Sequence, residues 1–212
     1  GRNSRYGLIS MASSFDTMGV LANRVYDVAI VEDILSGVDS KDSTTHDLPK
    51  TDFKSNVDKD ISGLTVGIPK EYFVEGLDPD IKKSVMDKVE ELKSKGVKVK
   101  EVSLPHTKYA LPTYYILVPS EISSNLGRFD GIRFGNTDSS ATELEEAYIS
   151  SRDVFEDEVK RRIIIGTFAL SSGYSDEYYK KALKVRELIK RDFENVFKEV
   201  DAIITPSMPR VA

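Results

Sequence analysis

Apolar residues recur along this chain with two different periods, and the switches between them mark its elements. Over 22–37, Val25, Val28, Ala29, Val31, Ile34 and Leu35 fall on one side of a helix. Asn23 is placed to cap that helix, and Gly37 can take the positive φ that ends it. Residues 39–60 carry no period and read as a long surface loop. The clearest unit follows. Leu64-Thr65-Val66-Gly67-Ile68 is a short strand, and Asp78-Pro79 is an N-cap with proline at the first helical position. Ile81, Val85, Val89 and Leu92 then recur at helical spacing until Gly96, and 97–104 alternates as a second strand. Strand, helix and strand over 64–104 make a βαβ unit, which predicts parallel pairing through a right-handed crossover. Farther on, 110–126 is mostly apolar and predicts a partly buried helix, followed by a loop over 127–140. Thr142-x-x-Glu145 has the spacing of a capping box opening a short helix. Helices are expected over 156–170, ending near Gly173, and over 176–199, with Tyr178, Ala182, Val185, Ile189, Phe193 and Val196 as the stripe of the second. Ala202-Ile203-Ile204-Thr205 is a short buried strand stopped by Pro206. The sum is α/β, with a mixed sheet covered by helices.

Composition narrows the function classes. The 212 residues include 40% hydrophobic ones, enough for a packed core, and no cysteine. A disulfide framework, a thiolate nucleophile and Cys-ligated zinc are therefore excluded, and a reducing, cytoplasmic setting (or an organellar one) fits best. No apolar run approaches the roughly 20 residues that span a bilayer, and no basic-then-apolar signal pattern is present. The formal charge of −5 argues against strong direct nucleic-acid binding by this chain. Lys160-Arg161-Arg162 and the group Lys180, Lys181 and Lys184 are interleaved with carboxylates and read as solvated helix faces. The start at Gly1 without an initiator Met, and the stop at Ala212 just after a strand, read as the edges of a piece of a larger domain.

The chemistry-bearing motifs looked for first do not occur. There is no phosphate-binding Gly-x-x-x-x-Gly-Lys, no Gly-x-Gly-x-x-Gly after a strand and no Gly-x-Ser-x-Gly elbow. His46 and His106 have no ligand-spaced partner, so no metal site is expected, and His106 reads as a loop residue after a strand. Glu90-Glu91 and Glu145-Glu146 sit on polar helix faces, where nothing tunes a catalytic acid. Ser13-Ser14 and Ser171-Ser172-Gly173 lack a base within local reach and read as structural.

A resemblance adds what these patterns do not give. It is carried, in order, by the following runs. Gly1-Arg2-Asn3-Ser4-Arg5-Tyr6-Gly7-Leu8-Ile9 and Ala12-Ser13-Ser14-Phe15-Asp16 come first, then Pro69-Lys70-Glu71-Tyr72-Phe73 and Glu75-Gly76-Leu77-Asp78. Ser103-Leu104-Pro105-His106-Thr107-Lys108-Tyr109-Ala110-Leu111-Pro112 follows, and then Ser123-Ser124-Asn125-Leu126 with Arg128-Phe129-Asp130-Gly131-Ile132-Arg133. Glu158-Val159-Lys160-Arg161-Arg162-Ile163, Ser171-Ser172-Gly173-Tyr174 and Thr205-Pro206 complete the set. On these runs the chain resembles the amidase-signature family, and within it the A subunits of the amidotransferases that serve Glu-tRNA(Gln) and Asp-tRNA(Asn).

The resemblance implies a glutamine-hydrolysing subunit whose Lys-Ser-Ser triad lies in a Gly/Ser-rich region before the segment matching Gly1. No catalytic residue is then assigned to this sequence, which is expected to be inactive alone and to represent the central to C-terminal portion of the domain. Ammonia would pass to a partner among the B and C subunits, where ATP, magnesium and the aminoacyl-tRNA are handled; this chain would carry no cofactor of its own. Arg162 matches an arginine that holds the substrate α-carboxylate, a role suited to the two parallel hydrogen bonds of a guanidinium. Tyr114 matches a tyrosine near the bound glutamine, with Tyr115 taking that role if the register shifts by one. The acidic residue facing the substrate amine would lie beyond Ala212. Departures from the family pattern are local: Arg152 to Asp157 is one residue shorter than the usual glycine-bearing segment, and Val20, Ile122 and Ser175 replace a proline, an alanine and an aromatic. Two rival readings share the scaffold: a hydrolase of another small amide, and a non-catalytic α/β binding module. As a piece, the chain is expected to expose apolar surface.

Overall fold

The computed structural model describes residues 1–211. Its elements are α1 (Val25–Leu35), β1 (Thr65–Pro69), α2 (Pro79–Ser94), β2 (Lys98–Val102), α3 (Ala110–Leu126), α4 (Leu144–Asp153), α5 (Asp157–Leu170), α6 (Tyr179–Val196) and β3 (Ala202–Ile203). Two compact units form: Gly1–Lys59 with Ile116–Ser175, and Asp60–Tyr115 with the segment from Asp176 onward. Both are discontinuous in sequence, and α3 contributes to each.

The second unit holds the sheet. Its order is β2-β1-β3, and both pairings are parallel, from Thr65 opposite Lys98 to Pro69 opposite Val102, and from Val66 opposite Ala202 to Gly67 opposite Ile203. The α/β class is as expected; among the described residues the antiparallel contribution is an isolated bridge between Asn3 and Ser36. The βαβ unit forms where its punctuation placed it. Asp78 Oδ1 accepts from the backbone N–H groups of Asp80 at 2.8 Å and Ile81 at 3.4 Å, Pro79 opens α2, and Val89 on its inner side is fully buried. Asp78→Ala removes the acceptor for these orphan N–H groups and is expected to lower stability by about 1 kcal/mol, read as a shift of the urea midpoint at constant m. The core joins Val102, Leu104, Val196 and Val200, with Tyr72, Phe193 and Ile203 packed against them. Of the predicted stripe of α6, Phe193 and Val196 join that core, Ala182 is buried, Val185 and Ile189 are half-buried, and Tyr178 lies before the helix and is exposed.

The first unit packs α3 on α5. Ala12, Val118 and Ile122 are buried together, with Leu126 and Ile163 against them. The helices meet at Gly166, where a Cβ would sit 1.9 Å from the carbonyl oxygen of Pro119. Asn125 pins the N-terminal segment by donating to the Met11 carbonyl and the Ser13 hydroxyl, each at 3.1 Å. Serines of both clusters make hydrogen bonds within this unit. Ser13 contacts Asn125, Ser14 N–H donates to Glu121 at 2.8 Å, and Ser171 Oγ closes α5 by donating to the Phe168 carbonyl at 2.7 Å.

Two local expectations need correction. Asn23 does not cap α1; Arg24 stands at that position and makes no side-chain cap. Of the apolar side of α1 only Ala29 is buried, and Val25 and Ile34 are about three-quarters exposed, 73% and 77%. The predicted capping box does not form: Glu143 occupies the N-cap position of α4 without a side-chain cap, and Thr142 lies one residue before it. α4 starts at Leu144, and Glu146, not Glu145, reaches back to the Thr142 N–H at 3.0 Å.

Within the loop over 127–140, Asp130 is buried and organises a turn. It accepts from the N–H groups of Ile132 and Arg133, each at 2.9 Å, and from the Arg133 guanidinium at 2.9 and 3.1 Å. The Arg133 and Ile132 N–H groups, then the guanidinium, hold its carboxyl well below the usual carboxylate range. A depressed carboxyl stabilises the fold above its unfolded pKa of about 3.9 and loses that contribution as pH falls. Asp130→Asn is therefore expected to melt below the parent at pH 7, with the gap closing below about pH 4. Parallel thermal melts at the two pH values check this; a gap that stays constant with pH would contradict it.

Candidate functional site

Helix α5 begins with Asp157 and Glu158 in its first turn, where carboxylates favour the positive end of the helix dipole. Glu158 reaches forward over one turn to two arginines. It accepts from Arg161 Nε and Nη2, both at 2.8 Å, and from Arg162 Nε at 2.8 Å. Hydrogen bonds from Arg161 first and Arg162 second push the Glu158 carboxyl down to about 2, so it is ionised at any working pH. The two cations differ in exposure: the Arg161 side chain is half exposed, and that of Arg162 is 28% exposed. Arg162 is thus a partly buried guanidinium whose plane is fixed along its Nε edge by an ionised carboxylate. Such a group recognises an anion by orientation as well as by charge. A groove of about 420 Å³ between α4 and α5, lined in part by Tyr148, Arg152, Phe155, Lys160 and Ile164, does not include it.

Tyr114 lies in the second turn of α3 and is 39% exposed. Its ring meets that of Tyr115 edge-on, with centroids 5.3 Å apart at 81°. Arg162 belongs to the first compact unit and Tyr114 to the second. The other basic residues of α5, and those of α6 and α2, behave as solvated helix faces. Lys160 donates to the Asp153 carbonyl at 3.2 Å, Lys180 pairs with Asp176, and on α2 Lys88 and Lys95 pair with Glu91. Hydrogen bonds from Lys88 and Lys95 push Glu91 down to about 2, as suits a surface ion pair and not a catalytic acid.

Sequence reasoning missed three carboxylates, Glu158 in the first unit and Glu71 and Asp192 in the second. Glu158 was legible in principle, since spacings of three and four place it beside Arg161 and Arg162. Glu71 accepts from the Leu104 N–H at 2.9 Å and from the Ser103 hydroxyl, and no local pattern announces it. His106 lies in the loop after β2, as expected, and there Asp192 on α6 takes it, a contact that no sequence pattern announced. The His106 N–H lies 2.8 Å from Asp192 Oδ2, and Nδ1 lies 3.0 Å from each carboxylate oxygen.

The Amidase family model matches residues 1–212. The chain belongs to the amidase family. Among its relatives, the A subunit of the glutamyl-tRNA(Gln) amidotransferase of Fusobacterium nucleatum is 55% identical over 100% of this chain and 44% of its own length. Its counterpart in Staphylococcus haemolyticus is 53% identical with the same coverage. The crystal structure of the Thermotoga maritima counterpart superposes with a TM-score of 0.73 at 36% identity, over 99% of this chain and 41% of that one. This amidase-family chain therefore spans 44% of the length of the curated relatives it matches. Among its described residues, no helix is long and apolar enough to cross a membrane.

Proposed function

We propose that this chain carries part of the glutamine pocket of a tRNA-dependent amidotransferase, in which a glutamine-hydrolysing subunit releases ammonia to convert Glu-tRNA(Gln), and by the same chemistry Asp-tRNA(Asn), to the amidated form. The observation that carries the reading is the 55% identity, across the whole chain, with the A subunit of a glutamyl-tRNA(Gln) amidotransferase. The geometry of α5 is in keeping with it: Arg162 is partly buried and held in plane by Glu158, as a carboxylate anchor must be. Arg162 takes the α-carboxylate of glutamine, and Tyr114 packs beside the substrate. The Lys-Ser-Ser triad that attacks the amide belongs to a part of the family domain not represented here, and ATP and magnesium act at a partner subunit. This chain alone is inactive in that scheme, which runs in a reducing, cytoplasmic or organellar compartment.

The test uses the protein from its whole gene, assembled with its partner subunits, and supplied with Glu-tRNA(Gln), ATP and magnesium. Amidation is expected with either glutamine or ammonium as nitrogen donor. Omitting this protein should abolish the glutamine-dependent reaction and spare the ammonium-dependent one. Glutamine-dependent amidation that persists without it would overturn the assignment.

A further inference from the structure

The connection from β2 to α3 is held from outside itself. After β2 the chain passes through buried Leu104 and enters a 3-10 turn at Thr107–Tyr109 that runs directly into α3. His106 precedes that turn and supplies no side-chain cap of its own. Its backbone N–H and its ring both turn to Asp192, with N to Oδ2 at 2.8 Å and Nδ1 3.0 Å from each oxygen. Two residues earlier, Glu71 takes the Leu104 N–H at 2.9 Å. Asp192 is an unusual occupant of its place. On α6 it lies between Ile189 and Val196 at helical spacing, next to Phe193, which packs against the core, and its side chain is 11% exposed. A carboxylate on an apolar stripe is costly to desolvate unless it is hydrogen-bonded, and His106 supplies those bonds.

All of these groups belong to the second unit, and so does Tyr114, eight residues past His106. A helix is stiff over two turns, so the frame set at its entrance fixes the direction of every side chain that follows; each residue advances it by about 100° and 1.5 Å. We propose that the His106–Asp192 pair is a positioning device for Tyr114, setting the entry frame of α3 from the rigid core of α6 so that the tyrosine ring meets the glutamine substrate. The inference rests on the reading of Tyr114 as a pocket residue. His106 and Asp192 do not touch the substrate; they act through the helix start.

The experiment is a double-mutant cycle in the protein from its whole gene, assembled with its partners, with glutamine-dependent amidation of Glu-tRNA(Gln) as readout. Asp192→Ala is expected to raise KM for glutamine about tenfold with kcat within about threefold, and His106→Ala to do the same to a smaller extent. Asp192→Asn keeps an acceptor for the His106 N–H and should return KM to within about threefold of the parent. In a Tyr114→Ala background, Asp192→Ala should add nothing, because residues acting through one another are non-additive. An unchanged KM in Asp192→Ala, a fall in kcat alone, or effects that multiply in the double variant would each overturn the proposal. Should Asp192→Ala fail to fold, His106→Ala, which leaves the backbone bond to Asp192 in place, carries the same cycle. A Tyr114→Ala protein with parental KM would instead sink the pocket reading of Tyr114, which separates that failure from failure of the positioning idea.

Discussion

Gly166→Ala is expected to destabilise the protein by about 3 kcal/mol or more, the opposite of what this substitution does in most helices. In an ordinary helix interior, alanine is favoured over glycine by about 1 kcal/mol, because glycine loses more backbone entropy on folding. Here the added methyl has nowhere to go. It would lie 1.9 Å from the Pro119 carbonyl oxygen, 2.4 Å from the Pro119 carbonyl carbon and 2.8 Å from Ser123 Cβ. Two of those three neighbours are backbone, so no rotamer change relieves the clash, and α3 and α5 must move apart. That movement opens the packing of Val118 and Ile122 against Ile163, where separation costs buried apolar contact. Chemical denaturation of the two proteins decides it: a midpoint equal to or above the parental one would show that the helices can separate cheaply.

The second large effect concerns Arg162. If the proposed function holds, Arg162→Ala in the protein from its whole gene, assembled with the proposed partners, is expected to raise KM for glutamine about 100-fold, with a smaller fall in kcat. Two charge-assisted hydrogen bonds to a carboxylate, at about 1.5 kcal/mol each, the low end of their range as suits a partly exposed site, account for that size, since about 1.4 kcal/mol is tenfold. Arg162→Lys is expected to recover little. An ammonium keeps the charge but not the planar fork, and it could not hold the Nε contact with Glu158 that fixes the plane. Steady-state kinetics against glutamine, with ammonium-dependent amidation as the control for folding, measures this. Equal losses with both nitrogen donors would place Arg162 outside the glutamine pocket.

These two residues show how unevenly the molecule can be read from its sequence. The βαβ unit was legible because its signals are local and mutually consistent: a cap and a proline at one end of α2, Gly96 at the other, and Val89 on the stripe between them. The apolar side of α1 misled, because amphipathic spacing says only which residues face the same way and not whether anything covers them; Ile34 is 77% exposed. The capping box was misread because α4 starts one residue later than the pattern placed it, which leaves Thr142 outside the cap position and gives its N–H to Glu146 instead of Glu145. In the candidate site, the ion pairing of Arg162 with Glu158 follows from spacing alone, but the proposal that it anchors a carboxylate rests on the family pattern. The contact between Asp192 and His106 joins residues 86 positions apart, and neither neighbourhood forecasts it. Gly166 offered a weak hint, since a glycine inside a helical pattern often marks a close approach, but nothing in the sequence points to Pro119 as the partner.

The centre of the sheet is completed late. β1 finds β2 within one βαβ unit, but its other edge waits for β3, and the bond from Thr65 N–H to the Asp201 side chain spans 136 residues. Closing so long a segment carries a larger entropic cost and lowers the rate at which the pairing forms. During vector-like synthesis from the N-terminus, the free edge of β1 stays bare while α3, α4, α5 and α6 leave the ribosome. For that interval the sheet is open to strangers as well as to its own last strand, so the nascent chain passes through a window of edge-to-edge mispairing that closes only when residues 202–203 arrive.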